Sequence, residues 1–125
     1  MDYRILIVDD IYINRLLLKE IIKKFCNFCF EAQNGKEAID ILVHEDIDVV
    51  LMDIEMPVMN GIETTKYIRE FLSYPKKLTP IIALTAHNPD NFFSDFHNVG
   101  FNQLLTKPYS MDSLFECIKS VCNKK

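Results

Sequence analysis

The chain has 125 residues, of which 49% are hydrophobic and 26% are charged, and this size and balance suit one folded domain and exclude a second core. Its formal net charge of -4 argues against direct binding to nucleic acid, which normally needs a basic face. No apolar run approaches the roughly 18 residues that span a bilayer, and Asp9 interrupts the N-terminal apolar stretch too early for a signal peptide, so we expect a cytoplasmic protein without direct membrane contact.

Strand-like and helix-like segments alternate along the whole chain. Several of the strand-like runs are continuously apolar rather than alternating, which indicates that helices cover both of their faces. Strands that alternate with helices form parallel sheets, so we predict an α/β fold with a five-stranded parallel sheet. The predicted strands are Arg4 to Val8, Phe28 to Ala32, Val49 to Asp53, Ile81 to Thr85 and Gln103 to Thr106.

The segments between the strands carry apolar residues at helical spacing. The second predicted helix follows an Asn34 N-cap, and the third begins at Asn60, with Glu63 placed three residues later as in a capping box. A fourth, weaker pattern spans Asn91 to Asn98, and the last helix follows a Ser110 cap. For the first helix, the spacing predicts a buried stripe of Ile13, Leu17, Ile21 and Phe25.

Polar residues stand where four of the strands end. The first strand runs into Asp9 and Asp10, the third ends in Asp53 and the fourth in Thr85, while Lys107 follows the fifth. Ligands of parallel α/β sheets bind at the carboxyl ends of the strands, so we expect these five side chains to lie together. Two carboxylates 4 to 5 Å apart repel by about 3 to 4 kcal/mol at an effective dielectric of about 20. Such a cluster therefore needs the lysine and, in addition, protonation or a bound cation.

The donor atoms of this cluster indicate which cation and which chemistry it serves. Carboxylates without histidine or cysteine favour Mg²⁺ over zinc. A site with Mg²⁺, a lysine and a hydroxyl group can stabilise a transferring phosphoryl group, and Asp53 on the central strand is the candidate attacking carboxylate. Charges also gather at strand ends simply because loops are solvated, so the prediction depends on all five residues together.

Four segments of the chain carry a family pattern: Val8-Asp9-Asp10, the run from Met52 to Gly61 (MDIEMPVMNG), Ala83-Leu84-Thr85-Ala86 and Leu105-Thr106-Lys107-Pro108. Together they strongly resemble the receiver domains of two-component response regulators. The resemblance covers almost the whole chain and implies a doubly wound (βα)5 fold of the flavodoxin-like kind, with strand order 2-1-3-4-5. It also implies a phosphoacceptor in a phosphorelay: Asp53 takes a phosphoryl group from a phosphohistidine of a histidine kinase or histidine phosphotransfer protein, in a Mg²⁺-dependent reaction.

The resemblance also implies a role for each residue of the metal site. Asp10 and Asp53 are expected to bind Mg²⁺ directly, together with the backbone carbonyl of Glu55. Asp9 is expected to act through water.

The remaining roles implied by the resemblance concern the phosphoryl group. Thr85 is expected to hydrogen-bond a phosphoryl oxygen and Lys107 to pair with the phosphoaspartate, and the peptide bond to Pro108 is expected to be cis. The domain would then be a signalling phosphoacceptor that catalyses its own phosphorylation and dephosphorylation rather than a conventional enzyme. Glu55 and His87 lie two residues beyond Asp53 and Thr85, and we hypothesise that they orient or shield the water that removes the phosphoryl group.

Two further features concern partners. The run from Asp9 to Arg15 is similar to the opening of receivers fused to hybrid histidine kinases, although Ile11 stands where that group usually has asparagine. Ile11, Tyr12 and Ile13 form an apolar patch where a histidine-bearing helix could dock; alternatively, Ile13 is a core residue.

Many receivers carry an aromatic residue where this chain has Leu104. The resemblance therefore implies that any readout at the face of the fourth helix, fifth strand and fifth helix uses other contacts. A weak homodimer through that same face is a further prediction.

Two alternative functions remain open on the residues alone. A haloacid-dehalogenase-like phosphatase also uses a strand-end aspartate, but it carries a second aspartate where this chain has Glu55. A pseudo-receiver would keep the fold and act by contact without phosphorylation, which the full set of Asp10, Asp53, Thr85 and Lys107 argues against.

Overall fold

The computed structural model describes residues 3–24, 26, 28–54, 56, 59–86 and 98–122. Its strands are β1 (Arg4–Val8), β2 (Phe28–Ala32), β3 (Val49–Asp53), β4 (Ile81–Thr85) and β5 (Gln103–Thr106), which coincide with the five predicted strands. The described helices are α1 (Tyr12–Ile22), α2 (Gly35–His44), α3 (Gly61–Phe71) and the C-terminal helix (Met111–Cys122), with a 3-10 turn at Lys76–Leu78. The predicted helix from Asn91 to Asn98 lies, apart from its last residue, outside the described residues.

The five strands form one parallel sheet in the predicted order β2-β1-β3-β4-β5. Val8 pairs with Met52 across β1 and β3, and Asp53 pairs with Leu84 across β3 and β4. The ends of these three strands therefore meet at the same edge of the sheet. After β1 the chain passes to β2 on one side of the sheet, and after β3 it passes to β4 on the other side. The crevice between the ends of β1 and β3 is therefore the point where ligands of such sheets bind.

Two apolar clusters cover the two faces of the sheet. One joins the strands to α2 and α3 through residues such as Leu42 and Ile68, and the other joins them to α1 and the C-terminal helix through Leu18 and Leu114. All five residues of β3 and of β4 are buried, as their continuous apolar runs predicted. Burial on both faces gives the central strands little freedom to move.

The three predicted helix caps are all present. Asn34 accepts a hydrogen bond from the amide of Glu37, and Asn60 and Glu63 form a complete capping box. The hydroxyl oxygen of Ser110 accepts from the amide three residues later, at 3.0 Å. Each cap stabilises its helix by about 1 kcal/mol and fixes the residue at which the helix begins.

The prediction of which face of α1 is buried is wrong. Ile13 and Leu17 are 55% and 58% exposed, Ile21 is partly buried and Phe25 lies outside the described residues. The buried side chains of α1 are Arg15, Leu18 and Ile22. Apolar residues occur on several faces of this helix, so spacing alone could not select the inner one. On the inner face Leu18 and Ile22 pack into the core, and the guanidinium of Arg15 bonds to the backbone just after β1 (Nη1 to the carbonyl of Asp9, 2.8 Å).

Arg69 of α3 holds together the segments that enter β4 and β5. Its guanidinium donates to the carbonyls of Lys77, Thr79 and Gly100 and to the side-chain oxygen of Asn102, over distances of 2.7 to 3.0 Å. The two strands that lead to Thr85 and Lys107 are thus anchored at their starts by a single side chain.

Among the described residues, none of the helices combines the length and the apolarity that a membrane span requires.

Candidate functional site

Three carboxylates meet at the crevice between β1 and β3. Asp9, Asp10 and Asp53 each offer an oxygen that lies within 4.8 Å of the other two. Asp9 and Asp53 are buried, with 1% and 3% exposure, and Asp10 is more open to solvent. Within the described part of the chain, no other set of three histidine, cysteine or acidic side chains comes this close.

The turn after β1 fixes the position of Asp9. Its amide donates to the carbonyl of Ala32 on β2 at 3.1 Å, which prolongs the pairing of β1 with β2 by one residue. Its Oδ1 accepts from the amide of Ile11 at 2.9 Å, a local side-chain bond that shapes the turn. Backbone and side chain of Asp9 are therefore both anchored before any ligand binds.

Lys107 provides a positive charge at the cluster. Its Nζ lies 3.6 Å from Oδ1 of Asp53, and its amide donates to the carbonyl of Thr85 at 2.7 Å. The peptide bond from Lys107 to Pro108 is cis, as the resemblance implied. At an effective dielectric of about 20, Asp53 is repelled by about 3 to 4 kcal/mol by each of two carboxylates and attracted by about 5 kcal/mol by this ammonium. The described side chains thus leave the cluster with excess negative charge.

Thr85 lies at the same edge of the sheet. It ends β4, is fully buried and follows Leu84, the residue that pairs with Asp53. Its hydroxyl group is therefore fixed on the strand next to the central carboxylate.

Gly61 allows α3 to begin close against the end of β3. Its amide donates to the carbonyl of Ile54 at 3.3 Å. A Cβ at this position would lie 2.6 Å from the Cα of Ile54 and 2.8 Å from the carbonyl oxygen of Asp53, both backbone atoms that cannot turn away. A larger residue here would push the helix away from Asp53.

Sequence reasoning missed Tyr109 as a neighbour of the cluster. Burial, and then the negative charges of Asp9 and Asp53, raise the pKa of its hydroxyl group to about 12. Like an ordinary tyrosine, the phenol is neutral at physiological pH, so it adds no further negative charge to the cluster. Its position two residues beyond Lys107 was the available signal.

An exposed apolar surface lies directly beside the acidic cluster. We call it the α1 surface; its members, between 38% and 61% exposed, are Ile11, Tyr12, Ile13, Leu16 and Leu17. The alternative that Ile13 belongs to the core is wrong. The surface follows Asp10 directly in the chain, so a partner that binds it would reach the carboxylates.

Some predicted features lie elsewhere or cannot be placed. Leu104 is partly buried against the apolar cluster on the α2 and α3 side of the sheet. Glu55 and His87 lie outside the described residues, as does most of the fourth predicted helix, so the expected face for self-association stays a prediction.

Comparisons with known proteins agree with the fold. The family model of the response regulator receiver domain matches residues 5–119. The chain is 34% identical over 121 residues to the chemotaxis protein CheY of Halobacterium salinarum, and this match covers 97% of this chain and 98% of that protein. It is 36% identical over 113 residues to the autoinducer 2 sensor kinase/phosphatase LuxQ of Vibrio parahaemolyticus, covering 90% of this chain but only 13% of that protein.

A solved structure adds the same likeness in three dimensions. The response regulator protein TrrA of Thermotoga maritima, solved in complex with Mg²⁺-BeF, is 34% identical and superposes with a TM-score of 0.80. The match covers 95% of this chain and 98% of that one.

The charge balance of the cluster yields a test by stability. Asp53→Asn removes a buried charge that, among the described side chains, is repelled by Asp9 and Asp10 and attracted by Lys107. We therefore expect it to raise the free energy of unfolding in urea by about 1 to 2 kcal/mol without divalent metal. Lys107→Gln should lower it.

Glu70→Gln, an exposed change on α3, serves as the control and should leave stability unchanged. If Asp53→Asn and Lys107→Gln shifted stability in the same direction, electrostatic repulsion would not dominate the site.

Proposed function

Because the chain belongs to the response regulator receiver domain family, we propose that residues 1–125 form one receiver domain in which Asp53 accepts a phosphoryl group from a phosphohistidine. One observation carries the proposal. The carboxylate of Asp53 lies at the centre of the ligand-binding edge, 3.6 Å from Lys107 and within 4.8 Å of Asp9 and Asp10.

The donor atoms of the cluster fit Mg²⁺. All are hard carboxylate oxygens, and their excess negative charge needs a cation in addition to Lys107. We assign Asp10, Asp53 and the backbone carbonyl of Glu55 as direct ligands and Asp9 as a ligand through water. When bound, Mg²⁺ supplies positive charge that offsets the carboxylates and the oxygens of the phosphoryl group.

The reaction itself needs few protein groups. An oxygen of Asp53 attacks phosphorus while the bond from phosphorus to the histidine nitrogen breaks, and the electron pair of that bond remains on the imidazole, which takes up a proton. The ammonium of Lys107 pairs with the transferred group, and the hydroxyl group of Thr85 donates a hydrogen bond to one of its oxygens. Both side chains are fixed by adjacent strands, which supports a mechanism based on positioning and charge.

We propose that the donor docks on the α1 surface. The donor is a histidine kinase or a histidine phosphotransfer protein, and the likeness to the receiver portions of hybrid kinases such as LuxQ supports this class of partner. Five adjoining exposed apolar side chains next to the acidic cluster suit a helix that presents its histidine to Asp53.

We expect Asp53 to be labelled by a small phosphoryl donor. Incubation of the protein with Mg²⁺ and acetyl phosphate should add the mass of one phosphoryl group, and the Asp53→Asn variant should add none. Intact-mass spectrometry measures both, and chelation of Mg²⁺ should abolish labelling of the parent.

Two outcomes would contradict the proposal, one from that experiment and one from a separate substrate assay. A parent protein that gains no mass would indicate a pseudo-receiver. Sustained hydrolysis of a phosphate ester would indicate a phosphatase.

Docking on the α1 surface is tested by comparing phosphoryl transfer from a protein donor with labelling by a small donor. Leu17→Glu places a charge on a side chain that is 58% exposed, so the fold should tolerate it. We expect transfer from phosphorylated histidine phosphotransfer proteins to slow by about tenfold or more, because a charge is desolvated on docking, while labelling by acetyl phosphate stays unchanged.

Val43→Glu is the matched control, since it adds the same charge to a 48% exposed apolar residue of α2. Equal loss of transfer in both variants, measured by the decay of labelled donor, would place docking elsewhere.

We further propose that the domain catalyses the loss of its own phosphoryl group. Glu55 and His87, two residues beyond Asp53 and Thr85, are proposed to orient or shield the attacking water. Glu55→Ala and His87→Ala should each change the half-life of the phosphorylated protein by about threefold or more. The half-life is measured from the intact mass of the protein at successive times after the donor is removed. Half-lives equal to that of the parent would exclude both residues from this step.

A further inference from the structure

A buried arginine bonds to the backbone that carries the acidic cluster. Arg15 of α1 is 8% exposed, and its Nη1 donates to the backbone carbonyl of Asp9 at 2.8 Å, a bond buried from solvent. This carbonyl belongs to the peptide unit between Asp9 and Asp10. The bond therefore fixes the plane of the peptide from which both of these side chains are oriented.

The guanidinium is itself fixed from the neighbouring strand. Its Nε donates to Oε1 of Glu31 on β2 at 2.9 Å, and the second oxygen of Glu31 accepts from Lys19 at 2.8 Å. Lys19 first, and then Arg15, hold the pKa of Glu31 below its usual value, so this carboxylate is ionised at neutral pH. Charge-assisted bonds of this kind are shorter and stronger than neutral ones.

The planar fork of arginine suits this position. It donates in two directions at once, to the turn after β1 and to β2, which a lysine ammonium on a flexible stem cannot do with the same geometry. The guanidinium carbon also lies 5.6 Å from the centre of the Tyr12 ring, a member of the α1 surface. One side chain therefore contacts the peptide of the acidic pair, the adjacent strand and the proposed docking surface.

We propose that Arg15 is a positioning residue for the acidic cluster, which sets the orientation of Asp9 and Asp10 for Mg²⁺ through the Asp9 carbonyl and is itself held in place by Glu31. The inference rests on the proposed function of the cluster and extends it to a residue that contacts neither the metal nor phosphate. Groups that orient metal ligands in this way change metal affinity by about 10- to 100-fold when they are removed.

The test compares Mg²⁺ affinity in variants of the whole chain. Arg15→Met should raise the dissociation constant for Mg²⁺ by about tenfold. Calorimetry below the unfolding temperature measures it. Arg15→Lys should fall between Arg15→Met and the parent. Lys19→Met is the matched control, because it removes a bond to the same Glu31 without touching Asp9, and it should bind Mg²⁺ like the parent.

Phosphorylation gives a second readout that a purely structural role would not produce. With acetyl phosphate, Arg15→Met should need more Mg²⁺ for half-maximal labelling, yet reach a maximal rate near that of the parent at saturating Mg²⁺, since Asp53 and Lys107 are not touched. If Arg15→Met does not fold, Glu31→Gln replaces it, and its Mg²⁺ affinity should be weaker than that of Lys19→Met.

The outcomes distinguish this inference from the proposed function. A dissociation constant within about twofold of the parent in the folded Arg15→Met variant, or in Glu31→Gln if that variant is used, would overturn the inference even if stability falls. A parent protein that neither binds Mg²⁺ nor gains phosphoryl mass would overturn the proposed function instead.

Discussion

Three carboxylates that lie within 4.8 Å of one another repel, and they stay together only because the rest of the fold holds them there. The register of the sheet does most of this, since the pairing of Val8 with Met52 places Asp9 beside Asp53. The strands cannot relax apart, because β1 and β3 are covered by helices on both faces. The hydrophobic clusters thus maintain an arrangement that electrostatics alone would disperse.

Groups from several other elements moderate the repulsion without removing it. Lys107, after β5, brings a positive charge to Asp53, while the phenol of Tyr109, whose pKa is raised by burial and the adjacent carboxylates, is neutral and adds no negative charge. Arg15 fixes the peptide that follows Asp9 from the opposite side. The excess negative charge that remains is what the proposed Mg²⁺ would offset, so on this proposal the instability of the free site and its affinity for a cation have the same origin.

The orientation of α1 connects this charged site to the surface of the protein. Arg15 faces inward, bonded to Asp9 and Glu31, together with Leu18 and Ile22, and four apolar residues on other faces of the helix are left exposed. Leu17 is among them, at 58% exposure. The same rotation that holds the turn after β1 therefore exposes the α1 surface, so the proposed phosphoryl-accepting site and the proposed docking surface for its donor both depend on one helix placement.

Local sequence determined the strands, the caps at Asn34, Asn60 and Ser110 and the identity of the acidic cluster, because each depends on short-range patterns of apolar runs, turn residues and strand ends. The sequence did not determine the inner face of α1 or the position of Tyr109. In α1 the apolar residues occur on several sides, and the inner face is the one on which Leu18 and Ile22 reach the core and Arg15 bonds to a strand and a turn that are distant in space until the sheet forms. Only the tertiary structure brings those partners together, and long-range polar contacts of this kind leave no periodic signal in the chain.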